Sequence, residues 1–201
     1  MSLLVGLTGS MGSGKTRAAN LFRKLGAHIL DADAVCRALV KPGEPAWREI
    51  VERFGNKILL ADDTLNRAEL AKIVFAEPDK KAALENILHP RVFREEEKFY
   101  DNIRHRQPDA LVIIDAALLI ESGNYKKMDK VVVMSCAKDE QIRRLLARGS
   151  WSREDIEKRL SRQMKVEDKI KLADYVIHND GSLEDLETQV ESVFHELKNF
   201  V

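Results

Sequence analysis

Cysteine is nearly missing from this chain. Cys36 and Cys136 stand a hundred residues apart, with no CxxC spacing and no clustered histidines. That excludes a disulfide framework and a cysteine-based zinc site, and predicts a reduced, cytoplasmic setting. Net charge is missing as well, because 33 Lys+Arg balance 33 Asp+Glu. No bulk field draws the chain toward nucleic acid or an acidic membrane, so a small-molecule partner is expected, with no nucleic acid, no membrane and no obligate protein partner. The longest apolar run, around residues 116–120, is far short of a membrane span. A strand pattern begins at Leu3, which leaves no room for a cleavable leader. There is no repeat, low-complexity tract, charged tail or interdomain linker. What is present is 201 residues, 44% of them hydrophobic, enough for one domain with a sizeable core and a small insertion.

Short runs rich in Val, Ile and Leu recur at 3–7, 27–30, 111–114, 131–134 and 175–177, separated by helical patterns. Such continuous apolar runs are strands buried on both faces. Strands alternating with helices predict an α/β fold, a doubly wound parallel five-stranded sheet with ligands at the carboxyl ends of its strands. Gly9, Asp31 and Asp115 then share one edge. Between residues 31 and 111 the rhythm stops and helices are expected at 46–54, 67–75, 79–88 and 92–106, with His89 held extended by Pro90. A second interruption spreads six arginines over two helical patterns around Gly149-Ser150-Trp151, the make-up of a mobile basic lid. The expected organisation is a core (about 1–40, 108–142 and 172–201), a helical acceptor-binding insertion (about 41–107) and a lid (about 143–171).

The segment Gly9-Ser10-Met11-Gly12-Ser13-Gly14-Lys15-Thr16 follows the first strand and spells a phosphate-binding loop. Glycines let successive backbone N–H groups face one anion, and the helix that follows adds its positive end. Lys15 supplies a cation to the β and γ phosphates. Thr16, expected as the first residue of that helix, offers a hydroxyl suited to a phosphate-bound Mg²⁺ ion. Gly12, Ser13 and Gly14 complete a nucleoside triphosphate cradle. Phosphoryl transfer also needs a group that orients the acceptor and a cation for the moving charge. Asp31 and Asp33 follow the second strand. Asp31 reads equally as a carboxylate facing the γ phosphate or as a helix N-cap, whereas Asp33, inside the first turn, reads as a catalytic base. Asp115 closes the third strand, either as a carboxylate serving Mg²⁺ or as a turn former. Arg148, just before Gly149, is the lid cation that can swing onto phosphate oxygens. His89 is either an acceptor-site donor or a polar turn residue.

Together these motifs resemble the dephospho-CoA kinase family over residues 4–186. The resemblance is carried by Gly6-Leu7-Thr8-Gly9 with Gly12-Ser13-Gly14-Lys15-Thr16, by Asp31-Ala32-Asp33, and by His89-Pro90-Arg91-Val92. Further on it is carried by Asp115-Ala116-Ala117-Leu118-Leu119-Ile120-Glu121, Arg144-Leu145 with Arg148, Arg159 with Gln163, and Ala173-Asp174 with Ile177, Asn179 and Gly181. It implies a P-loop NTPase-type kinase core with a helical CoA-binding subdomain and a lid. The implied reaction is ATP-dependent phosphorylation of the ribose 3′-hydroxyl of dephospho-CoA, with Mg²⁺ accompanying ATP. It further implies that Asn179 and Gly181 border the adenine and that His89 and Leu118 belong with Asp31 and Asp33 on the acceptor side. Ser10 stands where the family usually has Gly, and Ala117 where it usually has Pro. Ser10 is therefore expected to adopt a backbone conformation open to an L-residue.

Overall fold

Five apolar segments form one parallel sheet in the computed structural model, which describes every residue from Met1 to Val201. They are β1 (Leu3–Gly9), β2 (His28–Asp31), β3 (Leu111–Asp115), β4 (Lys130–Ser135) and β5 (Tyr175–His178), in spatial order β2-β3-β1-β4-β5. All four neighbouring pairs run parallel. The expected α/β class and all five strands are found, each a residue or more longer at its polar end than the apolar run alone indicates, and β2 one residue later at its start. Chain progress reverses around β1, so the loop leaving β1 opens at the switch point where such sheets hold ligands.

The chain forms two compact units, one of Met1–Asp31 with Phe99–Val201 and one of Ala32–Lys98. In the first, α1 (Lys15–Lys24) and α9 (Leu183–Lys198) cover one face of the sheet. Ala18, Phe22, Leu186, Val190 and Leu197 pack there with Val5, Leu7, Ile113, Val132 and Met134. Phe22 is wholly buried, and cutting it to alanine costs about 3–5 kcal/mol. At Gly6 a Cβ would lie 2.3 Å from Leu119 Cδ2, so the missing side chain lets the loop after β3 close against β1. Helix α9 starts at a capping box, in which Ser182 Oγ accepts from the Asp185 N–H at 3.1 Å and Asp185 Oδ2 accepts from the Ser182 N–H at 2.8 Å.

Three further helices of this unit follow β4: α6 (Lys138–Ala147), α7 (Arg153–Leu160) and α8 (Val166–Ile170). Ile142, Leu145 and Ile156 bury one another, with Met11, Trp151 and Leu160 packed against them. Gly149 turns the chain between α6 and α7 with φ of +70°, a conformation that favours glycine.

In the second unit α2 (Ala32–Leu39), α3 (Pro45–Phe54), α4 (Arg67–Ala76) and the greater part of α5 (Pro78–Arg106), as far as Lys98, appear in order. Ile50, Phe54, Ile58, Leu65 and Leu70 form a core of their own, flanked by Trp47, Leu84 and Ile87. Asn66 caps α4, its side chain accepting from the Glu69 N–H at 3.1 Å.

Residues 79–88 and 92–106 are not separate helices, and His89 is not extended, because α5 runs unbroken through Pro90. Pro90 removes the N–H that would have bonded the Asn86 carbonyl. Beside that gap the Ile87 carbonyl accepts from Arg91 Nη1 at 2.6 Å, and His89 stacks on Phe93 one turn later with ring centroids 5.6 Å apart. These side-chain contacts offset the local preference of a residue before proline. No helix is long and apolar enough to cross a membrane.

Candidate functional site

Between β1 and α1 the backbone takes the path that its glycines permit. Gly12 and Gly14 have φ of +84° and +91°, whereas Ser10 keeps a conformation open to L-residues, as its place in the motif requires. Gly9 is closely wrapped, since a Cβ there would lie 2.7 Å from Ser13 Oγ and 2.8 Å from the Met134 carbonyl. Lys15, rather than Thr16, is the first residue of α1, and that helix has no side-chain cap and no acid in its first turn. Its leading N–H groups are left for an anion, the arrangement that favours phosphate. Ser13 is 1% exposed and its Oγ has no hydrogen-bond partner, so the loop also holds an unused donor.

Lys15 Nζ pairs with Asp115 Oδ1 in a largely buried contact. Asp115 is brought there by β3, whose last residue lies in register with Leu7 of β1 and with Asp31 of β2. The shared edge of Gly9, Asp31 and Asp115 is thus a consequence of parallel pairing. Asp31 is exposed at that edge, and Thr16 is exposed at the second position of α1. In the loop after β3, Leu118 stands 52% exposed beside its buried neighbour Leu119.

The loop after β5 joins this group. Asn179 Nδ2 donates to the Ser13 carbonyl at 2.8 Å, while the Asn179 N–H bonds the Ser135 carbonyl at 2.8 Å. Arg144 Nη2 donates to the Asn179 carbonyl at 2.9 Å, and Arg144 Nε to Glu140 Oε1 at 2.7 Å. The hydrogen bond from Arg143, reinforced by that from Arg144, holds the Glu140 carboxyl down at about 2. Burial pushes the neighbouring Cys136 thiol up to about 11. Gly181 has a structural reason of its own, because a Cβ there would lie 2.5 Å from Asp185 Oδ2 of the capping box.

Arg148 caps the end of α6 immediately before Gly149 and is exposed. Farther along, Arg159 lies over the Trp151 ring at 4.8 Å, and Gln163 Oε1 accepts from the Met11 N–H of the phosphate loop at 2.9 Å. Asp33 and His89 belong to the second unit, Asp33 exposed in the first turn of α2 and His89 half-buried within α5. Sequence reasoning assigned no role to the bonds of Arg144 and Gln163 or to the buried Lys169. Arg144 and Gln163 carry signals only as parts of a family pattern, and Lys169 reads as one more lysine in a charged stretch.

Comparison with known proteins agrees with this geometry. The family model described as dephospho-CoA kinase matches residues 3–185. A dephospho-CoA kinase of Aquifex aeolicus is 42% identical over 193 residues, covering 96% of each chain. A crystal structure of a Thermus thermophilus protein superposes with a TM-score of 0.82 at 33% identity, covering 98% of each chain. The dephospho-CoA kinase of Campylobacter jejuni superposes with a TM-score of 0.72 at 25% identity, over 100% of this chain and 99% of that one. With the phosphate loop, its paired lysine and the parallel sheet already in place, these matches show that the chain belongs to the dephospho-CoA kinase family.

Proposed function

We propose that this protein transfers the γ-phosphoryl group of ATP to the ribose 3′-hydroxyl of dephospho-CoA, giving coenzyme A and ADP in the cytoplasm. The observation that carries the reading is the Lys15–Asp115 pair at the carboxyl edge of the sheet, beside a phosphate loop with an uncapped helix behind it. Lys15 leaves Asp115 for the β and γ phosphate oxygens when ATP enters, so that one cation is held ready and then spent on the charge that moves.

Asp33 accepts the proton of the 3′-hydroxyl as that oxygen attacks the γ phosphorus and the bond to the β-phosphate oxygen breaks. Asp31 helps to hold the acceptor, together with His89 and Leu118. Arg148 reaches the transferring oxygens from the end of α6, with Gly149 as the hinge. Gly12, Ser13 and Gly14 surround the phosphates, and Asn179 and Gly181 border the adenine. Residues 41–107 serve as the acceptor-binding insertion and 143–171 as the lid on a core of 1–40, 108–142 and 172–201.

The hydroxyl of Thr16 and the carboxylate of Asp115 are hard oxygen donors of the kind that suit Mg²⁺. No group of three or more His, Cys, Asp or Glu gathers to hold a metal ion, so a Mg²⁺ ion held here would take the rest of its shell from phosphate oxygens and water. A bound Mg²⁺ would supply neutralisation of phosphate charge.

The test is ADP release by the purified protein with Mg²⁺ and ATP, comparing dephospho-CoA with AMP, adenosine and shikimate and weighing the product for one added phosphate. Stimulation by dephospho-CoA alone is expected. Stimulation by another acceptor, or none by dephospho-CoA with ATP bound, removes the assignment.

A further inference from the structure

Lys169 in α8 is fully buried, an uncommon place for a lysine. Its Nζ lies 2.9 Å from Glu121 Oε1 and 3.1 Å from Glu121 Oε2, and donates to the Ala117 carbonyl at 3.2 Å. The Ala117 carbonyl also accepts from Thr8 Oγ1 at 3.2 Å, and Thr8 lies in β1 just before the phosphate loop. Glu121 Oε1 accepts from the Met164 N–H at 3.3 Å. The preceding residue, Gln163, accepts from the Met11 N–H at 2.9 Å. Residues 163–169 are therefore fastened on one side to the phosphate loop and on the other to the loop that follows Asp115.

Only the lysine of this pair is buried, and a buried charge is a poor source of stability, because an apolar residue of the same volume does as well or better. What it supplies is direction. The ammonium donors are committed to acceptors in the loop at 116–123, two residues and six residues beyond Asp115. We propose that Lys169 is a positioning residue, which with Glu121 fixes the base of the lid to the Asp115 loop so that closure of the lid and placement of Asp115 occur together. This rests on the reading of 143–171 as a lid in the proposed kinase reaction. Lys169 touches no reacting atom in this scheme and acts through Ala117, Glu121 and Met164.

Two variants test it. Lys169→Met removes the charge at similar length but leaves the Glu121 carboxylate, whose side chain is 22% exposed, without its partner. The double variant Lys169→Met with Glu121→Gln leaves no charge at the contact and keeps an acceptor for the Met164 N–H. For the double variant we expect a thermal midpoint near that of the parent. We also expect kcat lower by about 10–100-fold, the effect of a small misplacement of reacting groups, with KM for ATP within about threefold of the parent. Mg²⁺ with ATP should protect the parent from trypsin after Arg148, Arg153 and Arg159, and should protect the double variant much less. Parent-like kcat together with parent-like protection overturns the proposal. So does a collapse of the thermal midpoint in the double variant, since the pair would then be holding the fold. Protection by nucleotide is read without any acceptor, so failure of dephospho-CoA to stimulate the parent counts against the proposed reaction and leaves this test intact.

Discussion

Replacing Gly14 by alanine should damage the phosphate loop through Asn179. An added Cβ would lie 2.0 Å from Asn179 Nδ2, and the backbone there has φ of +91°. The left-handed conformation alone costs an L-residue about 1–2 kcal/mol. The clash adds to this, because Asn179 is buried and tied by its N–H to Ser135 and by its carbonyl to Arg144. Its amide can yield only by giving up the 2.8 Å bond to the Ser13 carbonyl, and a buried polar group left unpaired costs about 1–3 kcal/mol. The single variant should lose about 2–5 kcal/mol, with each kcal/mol lowering the melting temperature by about 2–4 °C for a chain of this size. Asn179→Ala removes the obstacle and the bond together. Gly14→Ala in that background should cost only the backbone part, about 1–2 kcal/mol. Urea unfolding of the four proteins gives the cycle, and the double variant should fall short of additivity by about 1–3 kcal/mol. Strict additivity, or a Gly14→Ala cost below about 1 kcal/mol, refutes the argument. ATP affinity should fall in Gly14→Ala as well, because the amides of residues 13–15 move with the clash.

Asp33→Asn should lower turnover by about 10²–10⁴-fold while ATP still binds, and turnover within tenfold of the parent removes its role as base. Lys15→Met should reduce turnover by at least about 10²–10³-fold through lost neutralisation of the moving charge, and steady-state rates near those of the parent would mean that the loop is not the catalytic one. Glu140, held at about 2 against an ordinary 4.5, contributes stability that is complete above pH 4.5 and disappears as pH falls toward 2. Carbon-13 NMR of its carboxyl should show a midpoint near 2 that rises more in Arg143→Ala than in Arg144→Ala, and a midpoint near 4.5 in the parent contradicts the geometry. Burial raises the thiols of both Cys36 and Cys136, so both should react slowly with a disulfide reagent at pH 8, and rapid labelling of Cys136 in the folded protein would count against its surroundings.

The sheet was legible because strands buried on both faces announce themselves as unbroken apolar runs. Their polar ends, Thr8 to Gly9, Asp31, Asp115 and His178, were lost to that criterion because a strand continues as long as its ladder does. The phosphate loop was legible for a different reason, since its constraint is local and is written in eight consecutive residues. The helix through Pro90 was not, because the rule for a residue before proline describes an isolated chain, whereas Arg91 covers the Ile87 carbonyl and Phe93 receives the His89 ring. The bonds of Asn179 to Ser13 and of Lys169 to Glu121 join residues 166 and 48 positions apart. Such pairings depend on which strand lies beside which, and no local pattern records them.

The central place of β1 has a consequence for synthesis. Its two neighbours are β3 and β4, with Leu3 beside Leu111 and Val5 beside Lys130. The strand that launches the nucleotide loop is thus translated before both of its neighbours and is flanked on both sides only once β4 has been made, after a wait of roughly 6–25 s at typical elongation rates of about 5–20 residues per second. Until then its apolar side chains have no sheet to join, while the helical core around Ile50 and Leu70 is already complete in sequence. Nascent chains halted before Val131 should therefore carry an intact phosphate-loop sequence and still bind no ATP.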